Sequence, residues 1–452
     1  MIDTGLLNKY NVPVPRYTSY PTVPYWNDSI DISEWTADFQ NQFKIENTKD
    51  GISLYIHLPF CESLCTYCGC NKKITTNHGV EDEYIGAILK EWALYLRLMN
   101  DKPVIREIHL GGGTPTFFSP VNLERLLNTI ISSAIIHDKH EFSLEGHPNN
   151  TTEAHLNTLF DIGFRRVSYG VQDNDPDVQR IINRIQPFEN VQRATELARA
   201  IGYTSVNFDL IYGLPLQDTE RMRRTLLQSI SLRPDRVAFY RYAHVPWTSR
   251  GQRLFDENDL PDAGEKMKLY QLGKQLFAEN GYYDIGMDHF ALPGDDLYKV
   301  AQSGTLHRNF MGYTTHRTGM LLGLGVSAIS DTGTAYAQNE KTIQGYYQRI
   351  NAGLPAVQKG YFLTDEDRAF RQYILDLSCR GKTTMRSAHA GLLATYTFPE
   401  LKKLENDGLL TLAGLHVSVT EAGRHFIRNI CSAFDLQLQR KAKSARTFSN
   451  AV

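Results

Sequence analysis

Four of the six cysteines of this chain lie in one short segment. Cys61, Cys65, Cys68 and Cys70 fall within the string HLPFCESLCTYCGC. Thiolates are the usual ligands of iron–sulfur clusters, and C-x3-C-x2-C spacing lets the first three cysteines hold three irons of a cubane from one loop. The fourth iron then has no protein ligand, so the amine and carboxylate of a small molecule can chelate it.

Two other metal sites use cysteines in different patterns. Structural zinc needs four ligands, usually as two separated C-x2-C pairs, and ferredoxin runs use C-x2-C-x2-C or C-x4-C-x2-C. C-x3-C with an aromatic residue, Tyr67, before the third cysteine instead resembles the radical S-adenosylmethionine (SAM) superfamily. That resemblance implies a [4Fe–4S] cluster and SAM as cofactors. Cys70 is predicted not to bind the cluster, with an auxiliary role as the alternative.

The elements that position this loop follow a strand–helix alternation that begins at residue 51. Apolar, β-rich runs occupy 52–57, 104–110, 141–145, 166–172, 205–212 and 236–240. Helical patterns at 82–99, 120–133, 152–161, 188–201 and 218–231 separate them, with apolar residues at three- and four-residue steps. Six βα units in a row predict a parallel sheet with right-handed crossovers.

Such a sheet can form either a doubly wound fold or a (β/α) barrel, and the positions of polar residues distinguish the two. They follow nearly every strand: the cysteines after the first, Gly111–Gly113 after the second, then Glu145, Gln172 and Asp209. Catalytic groups in barrels gather at the carboxyl ends of many strands, whereas a doubly wound sheet binds its ligand at one switch point. The even spread predicts an α/β fold with a partial (β/α)6 TIM-like barrel.

The rest of the chain divides around this barrel. We predict an N-terminal arm at 1–50 without a long periodic run, the barrel at 51–290 and a barrel-completing loop region at 291–360 that contacts substrate and cofactor. Residues 361–452 are predicted to form a mainly helical domain. Its apparent hairpin, 409–412 and 417–419 around a turn at Gly414, resembles a winged helix.

Composition limits the classes of function. The 452 residues carry a net charge of −2, so no broad field recruits nucleic acid or anionic lipid. We expect neither as a partner, and the start of the chain has no targeting signal, which predicts a cytoplasmic protein. Cys379 and Cys431 stand alone in apolar surroundings and are predicted to be buried.

Several strings together resemble one family, the oxygen-independent coproporphyrinogen III oxidases (coproporphyrinogen dehydrogenases). They are 15–22 (PRYTSYPT), CGCNK at 68–72, 111–116, 169–173, 209–215, 286–290, 307–313 and 325–330. The arm and the CGCNK ending separate this family from shorter haem-chaperone relatives. The resemblance runs from Arg16 to the C-terminal helices.

The resemblance implies two SAM molecules bound side by side. By motif, the cluster-bound molecule would contact Tyr55, Tyr67, Gly112, Glu145 and Ile329. The second would contact Gly113, Thr114, Gln172, Arg184, Asp209 and Ala243. No catalytic residue is identified, and Tyr55, Phe310 and Ile329 are the candidates.

The implied reaction is an anaerobic oxidative decarboxylation. Two propionates of coproporphyrinogen III would become vinyl groups, giving protoporphyrinogen IX, with 5′-deoxyadenosyl radicals from SAM taking the hydrogens. A low-potential donor such as flavodoxin or ferredoxin would supply electrons, and a monomer is expected. A related radical SAM enzyme, such as a haem-opening methyltransferase, and a haem chaperone are the alternatives.

Two positions depart from the family pattern. His147 stands where Glu-x-Asp-Pro has Asp, and Met311 stands where Gln is common. The substrate carries four carboxylates, so its pocket needs cations, preferably arginines that bind in a bidentate manner. Arg16, Lys72, Arg241 and Arg308 are the candidates.

Overall fold

The computed structural model describes residues 4–440 and 448–451. Within that part of the chain one sheet of twelve strands dominates. The strands are β1 Ile52–Leu58, β2 Val104–Gly112, β3 Ile135–Gly146, β4 Phe164–Gln172, β5 Ser205–Tyr212, β6 Arg236–Arg241, β7 Tyr283–Gly286, β8 His289–Ala291, β9 Leu321–Leu324, β10 Ile329–Asp331, β11 Ala335–Asn339 and β12 Val357–Phe362. Their order in the sheet is β12-β11-β10-β9-β1-β2-β3-β4-β5-β6-β8-β7.

Strands β1 to β6 confirm the predicted partial barrel. They lie side by side in chain order and all five pairs are parallel. Consecutive order has no switch point, so the doubly wound alternative is excluded. The apolar side chains of these strands, such as Leu54, Ile108 and Phe208, are fully buried. All carboxyl ends of the six strands therefore meet at one edge.

Helices cover the outer face of the barrel, and others lie toward both ends of the chain. They are α1 Thr4–Tyr10, α2 Ile32–Glu46, α3 Glu81–Leu98, α4 Pro120–Ser132, α5 Glu153–Ile162, α6 Pro176–Ile181, α7 Phe188–Ile201, α8 Thr219–Ser231, α9 Ala263–Glu279, α10 Asp296–Ser303, α11 Ile343–Asn351, α12 Asp365–Arg380, α13 Ala390–Leu392, α14 Phe398–Asn406, α15 Ile427–Ser432 and α16 Leu436–Arg440. In the described ranges, no helix combines the length and apolar character needed to cross a bilayer.

The prediction of an arm without a periodic run is wrong for α2. Trp35, Phe39 and Phe43 recur at four-residue steps and are almost completely buried against the barrel core. Side chains four residues apart lie on one face of a helix, and Asp31 caps this one by accepting from the Glu34 N–H. The helix was missed because these three aromatic residues form a narrow apolar stripe in a segment that is otherwise mostly polar.

Both sides of the barrel are extended by strands that the periodicity did not predict. β9 joins β1 in parallel, and β10, β11 and β12 follow as an antiparallel meander. On the other side β8 pairs antiparallel with β6 and with β7. These strands have three to six residues, which is too short for a reliable period-2 signal.

The C-terminal part has the predicted hairpin beside its helices. Leu410–Ala413 and His416–Val419 pair antiparallel, and Lys382–Thr384 adds a third strand that was not predicted. Buried residues of these helices pack with Tyr10, Tyr17 and Tyr20 of the arm. Cys431 is buried as predicted, whereas Cys379 is only partly buried. Part of the predicted domain 361–452, namely 441–447 and 452, lies outside the described residues.

Glu91 connects α3 to the strands that extend the barrel. Its side chain is fully buried and accepts from the Gly325 N–H, the Asn339 amide and the Tyr346 hydroxyl, each at 2.7 Å. Burial raises the pKa of Glu91 to about 7, although the three donors oppose that rise. The network orders the 325–328 turn that leads into Ile329.

The raised pKa predicts a pH-dependent stability. Because the folded pKa lies above the unfolded value, Glu91 stabilises the fold most below about pH 4.5 and loses that contribution as pH rises through about 7. Between pH 5.5 and 8 we expect wild type to lose ~2 kcal/mol more than Glu91→Gln does. Urea unfolding of both proteins at the two pH values measures this difference. An equal loss in both proteins would contradict it.

Candidate active site

A cavity of about 490 Å³ opens at the carboxyl ends of the barrel strands. Residues from the loops after β1, β2 and β3 and from β4 and β5 line it. Among the residues singled out from the sequence, its walls contain Cys61, Cys65, Tyr67, Cys68, Gly112, Gly113, Thr114, Glu145, Gln172, Arg184 and Asp209. The parallel order of the strands therefore brings groups that are nearly 150 residues apart in sequence to one place.

The cysteine loop carries donors positioned toward its sulfurs. The Thr114 hydroxyl donates to Cys61 Sγ at 3.3 Å, and the Arg184 guanidinium to Cys65 Sγ at 3.5 Å. Burial raises the pKa of the Cys61 thiol to about 11. Iron would remove this proton, because a coordinating thiol is deprotonated by the metal.

Cys70 is exposed and lies next to Cys68. A hydrogen bond from Cys70 lowers the pKa of the Cys68 thiol, and the nearby Lys72 ammonium adds to that effect. Lys72 Nζ also donates to the Cys68 carbonyl at 3.0 Å. Cys70 thus contacts one of the three proposed ligands and lines the same cavity.

The glycines after β2 are required by close contacts. Gly112 has φ +117° and donates its N–H to Glu145 Oε2 at 3.2 Å. A Cβ on Gly113 would lie 2.4 Å from the Pro59 carbonyl oxygen, so a side chain would push this strand end away from the cysteine loop. The glycines let the β2 backbone itself form a wall of the cavity.

The far wall is built at the ends of β4 and β5. Gln172 ends β4 with φ +66°, a left-handed conformation that costs a non-glycine residue energy and marks functional sites. A Cβ at Gly170 would lie 2.6 Å from Gln172 Nε2 and 3.0 Å from the Arg184 guanidinium. Asp209 accepts from Ser168 and Asn207, and burial raises its pKa to about 6.

Four predicted residues lie outside the lining of this cavity. The Tyr55 hydroxyl hydrogen-bonds with His57 Nδ1 at 3.0 Å, and its ring stacks on His109 beside Glu145. Ile329 and Phe310 belong to an apolar cluster with Trp26 of the arm. The Ala243 carbonyl accepts from Gln252 at 3.1 Å.

Gln252 was missed by sequence reasoning. Its side chain is 2% exposed and donates to the carbonyls of both Tyr67 and Ala243, while it accepts from the Val245 N–H. It therefore ties the cysteine loop to the segment after β6. Ser249 adds a bond to the Cys68 carbonyl. No motif marks either residue, because each acts through backbone atoms of a distant loop.

The departure at His147 has a local explanation. Its Nδ1 accepts from the Asn149 N–H at 3.2 Å, the contact that an aspartate makes with the backbone two residues on. Burial, reinforced by Arg184, lowers the pKa of His147 to about 2, so the ring is neutral. Imidazole thus supplies the acceptor without the negative charge. At the other departure, the Met311 N–H donates to the Asn309 side chain.

The four cations predicted to bind substrate carboxylates lie in different parts of the structure. Lys72 lies in the cavity of about 490 Å³ at the strand ends, which we call the cofactor cavity. Arg308 is mostly buried and donates to the carbonyls of Arg16 and Tyr17, which holds the arm in place. Arg16 and Arg241 line a second cavity together with Arg308.

The residues fit the predicted cofactors. The three predicted ligand thiols and the Cys70 thiol line one cavity, two side-chain donors contact Cys61 and Cys65, and the buried Arg184 Nε has no partner within the described chain. The model of the radical SAM superfamily matches residues 55–227, which contain the whole of this cavity apart from Tyr240. The fold and the site thus define a radical SAM enzyme, whose cofactors are a [4Fe–4S] cluster and SAM.

Similar proteins narrow the class further. The oxygen-independent coproporphyrinogen III oxidase of Synechocystis is 39% identical over 99% of this chain and 97% of its own length. That of Pseudomonas aeruginosa is 36% identical over 96% of both. The structure of the radical SAM coproporphyrinogen III oxidase HemN from Escherichia coli matches with a TM-score of 0.88 at 36% identity, over 97% of this chain and 99% of that one. The chain belongs to the oxygen-independent coproporphyrinogen III oxidase family.

Proposed function

We propose that this chain catalyses the anaerobic oxidative decarboxylation of two propionates of coproporphyrinogen III to vinyl groups, giving protoporphyrinogen IX. The observation that carries the proposal is the cavity of about 490 Å³, where three cysteines of one loop meet Glu145, Gln172 and Asp209. Near full-length identity to coproporphyrinogen III oxidases supports the same substrate.

We assign Cys61, Cys65 and Cys68 as the ligands of three irons. When bound, the reduced cluster supplies an electron that releases a deoxyadenosyl radical from SAM. The cluster-bound SAM would contact Tyr67, Gly112 and Glu145, which line the cavity, and also Tyr55 and Ile329, which lie outside its lining. The backbone of Gly112 and the carboxylate of Glu145 are already paired, so their geometry is set before the cofactor binds.

A second SAM is assigned to Gly113, Thr114, Gln172, Arg184, Asp209 and Ala243. Arg184 offers a guanidinium to a carboxylate, and Asp209 accepts from hydroxyl or amino groups. Gln252 positions Ala243 and the cysteine loop relative to each other.

The stoichiometry of the reaction follows from its balance. Each propionate loses one β-hydrogen atom to a deoxyadenosyl radical, and the substrate radical then loses carbon dioxide and one electron to an acceptor, leaving a vinyl group. Tyr55, Phe310 and Ile329 are proposed to border the reacting carbon, and the apolar side chains of Phe310 and Ile329, together with Trp26 of the arm, would exclude water. A flavodoxin or ferredoxin is the proposed electron donor. We propose that the protein acts as a monomer. Its proposed location is the cytoplasm, where its six free cysteines stay reduced.

The test is an anaerobic turnover with reconstituted, reduced protein. We expect coproporphyrinogen III to become protoporphyrinogen IX, with two 5′-deoxyadenosines per product and a transient mono-vinyl intermediate. Chromatography of porphyrins and nucleosides measures both. Methylated or ring-opened tetrapyrrole would instead indicate the methyltransferase, and stoichiometric haem binding with unchanged coproporphyrinogen would indicate the chaperone.

A further inference from the structure

A second cavity, of about 380 Å³, lies where the arm, the end of β6, the 284–288 loop and the C-terminal helices meet. Eight lysine and arginine side chains line it, against the two carboxylates of Asp284 and Asp288. One of these carboxylates, Asp284, is already paired with Lys274 outside the cavity. We call this cavity of about 380 Å³ the cationic cavity. Of the eight cations, Arg380 and Arg424 are paired with Asp376 and Glu421, and the other six form no ion pair within the described residues. The remaining excess of positive charge indicates an anionic ligand.

The cations crowd one another. Arg16 donates to the Arg241 carbonyl, and Arg241 Nε is buried without a partner in the described chain. Burial and Arg241 lower the pKa of Lys266 to about 8, and burial and Arg16 lower that of Arg428 to about 9. Repulsion among gathered like charges costs folding free energy, so the cluster points to a role for the charge itself.

The cationic cavity adjoins the cofactor cavity. Tyr240 at the end of β6 lines both, and the Arg16 guanidinium lies 6.0 Å from the centre of the Tyr240 ring. A ligand that is long enough can therefore reach from the cations, past Tyr240, to the side where SAM is proposed to bind. A tetrapyrrole with carboxylates on opposite edges is a ligand of this kind.

We propose that the cationic cavity binds the two substrate carboxylates that remain in the product, with Lys266 and Arg241 as direct partners. This inference rests on the proposed function. A carboxylate that leaves as neutral carbon dioxide should not be held by cations, because they stabilise the charged form and resist its loss. The retained carboxylates have no such restriction. The cations therefore select which propionates face the radical.

Binding of air-stable porphyrins tests the assignment without turnover. Coproporphyrin III carries all four carboxylates and protoporphyrin IX carries only the retained two. Lys266→Met and Arg241→Met are each expected to weaken the binding of both porphyrins by ~10-fold, because each variant removes one charged partner. The dimethyl ester of protoporphyrin IX should bind wild type and variants alike. Quenching of porphyrin fluorescence with the full chain measures the affinities.

The matched control is Lys268→Met on the same helix. Lys268 is largely exposed and pairs with Glu265, so its loss should leave both affinities unchanged. Lys266→Arg keeps the charge and should restore most of the binding. The midpoint of thermal unfolding of Lys266→Met should stay equal or rise, since the variant relieves repulsion with Arg241. A purely structural lysine would lower it.

The outcomes separate this proposal from the function. If the variants bind coproporphyrin III weakly but protoporphyrin IX normally, the cavity holds the reacting propionates and the proposal is wrong. If the variants bind both porphyrins with the affinity of the wild type, and the wild type turns over coproporphyrinogen, the proposal is overturned and the function stands. A wild type that binds neither porphyrin and does not turn over coproporphyrinogen overturns both.

Discussion

Cys61→Ala, Cys65→Ala and Cys68→Ala are each expected to lose the [4Fe–4S] cluster and all production of 5′-deoxyadenosine. A cubane held by three protein thiolates cannot keep its site-differentiated form when one ligand is missing. Iron content and visible absorption after anaerobic reconstitution measure the loss, and the far-ultraviolet circular dichroism should remain that of the wild type.

Cys70→Ala is the matched control for these variants. It removes a thiol from the same loop, and Cys70 is already exposed. Its cluster content should therefore be close to wild type, with an altered environment at Cys68 because the hydrogen bond between the two is gone. A cluster that survives in Cys61→Ala and disappears in Cys70→Ala would refute the assignment.

Arg184→Ala is expected to weaken the second SAM by ~1.5–3 kcal/mol, the range for losing a charged hydrogen-bond partner. Its Nε is buried and unpaired within the described residues, and its terminal nitrogens contact Gly170 and Cys65. Equilibrium dialysis of labelled SAM should show two molecules bound to reconstituted wild type and one to the variant at the same concentration.

Two further variants make the result specific. Asp209→Asn preserves the shape and the bond from Ser168 but removes the charge, so it should also lower the second affinity. Arg180→Ala changes an exposed arginine of the neighbouring helix and should bind two molecules. Because Arg184 touches Cys65, iron content must be equal in all samples. One molecule bound to wild type, and no change in Arg184→Ala, would disprove the second site.

The proposed cluster loop and the barrel could be predicted because each depends on local pattern. Spacing within ten residues defines the three cysteines, and alternation of apolar runs defines β1 to β6 to within a few residues, except at the start of β3. Once six parallel strands are predicted, their carboxyl ends must meet. The common cavity of Glu145, Gln172 and Asp209 then follows from topology.

Other parts of the site depend on contacts that carry no local signal. Gln252 acts on the backbone of a loop 185 residues away, and Glu91 on a turn more than 230 residues away. A buried glutamine and a buried glutamate look like ordinary helix or loop residues in the sequence. The strands from β9 to β12 are short. They join the sheet because β9 pairs with the free edge of β1, and each later strand then pairs with the one before it.

The sequence alone predicted the parallel barrel and the groups that share the cavity at its rim, and it is the source of the proposed ligand set for iron. Only the tertiary structure decided that Arg16, Arg241 and Arg308 line one cavity with Lys266 and Arg428, whereas Lys72 lies in the other cavity beside the cysteine loop. The reason is physical. A thiol or a strand pattern is set by neighbours in the chain, but the role of a cation depends on which elements pack around it, and the arm, α9 and α15 meet only in the folded state.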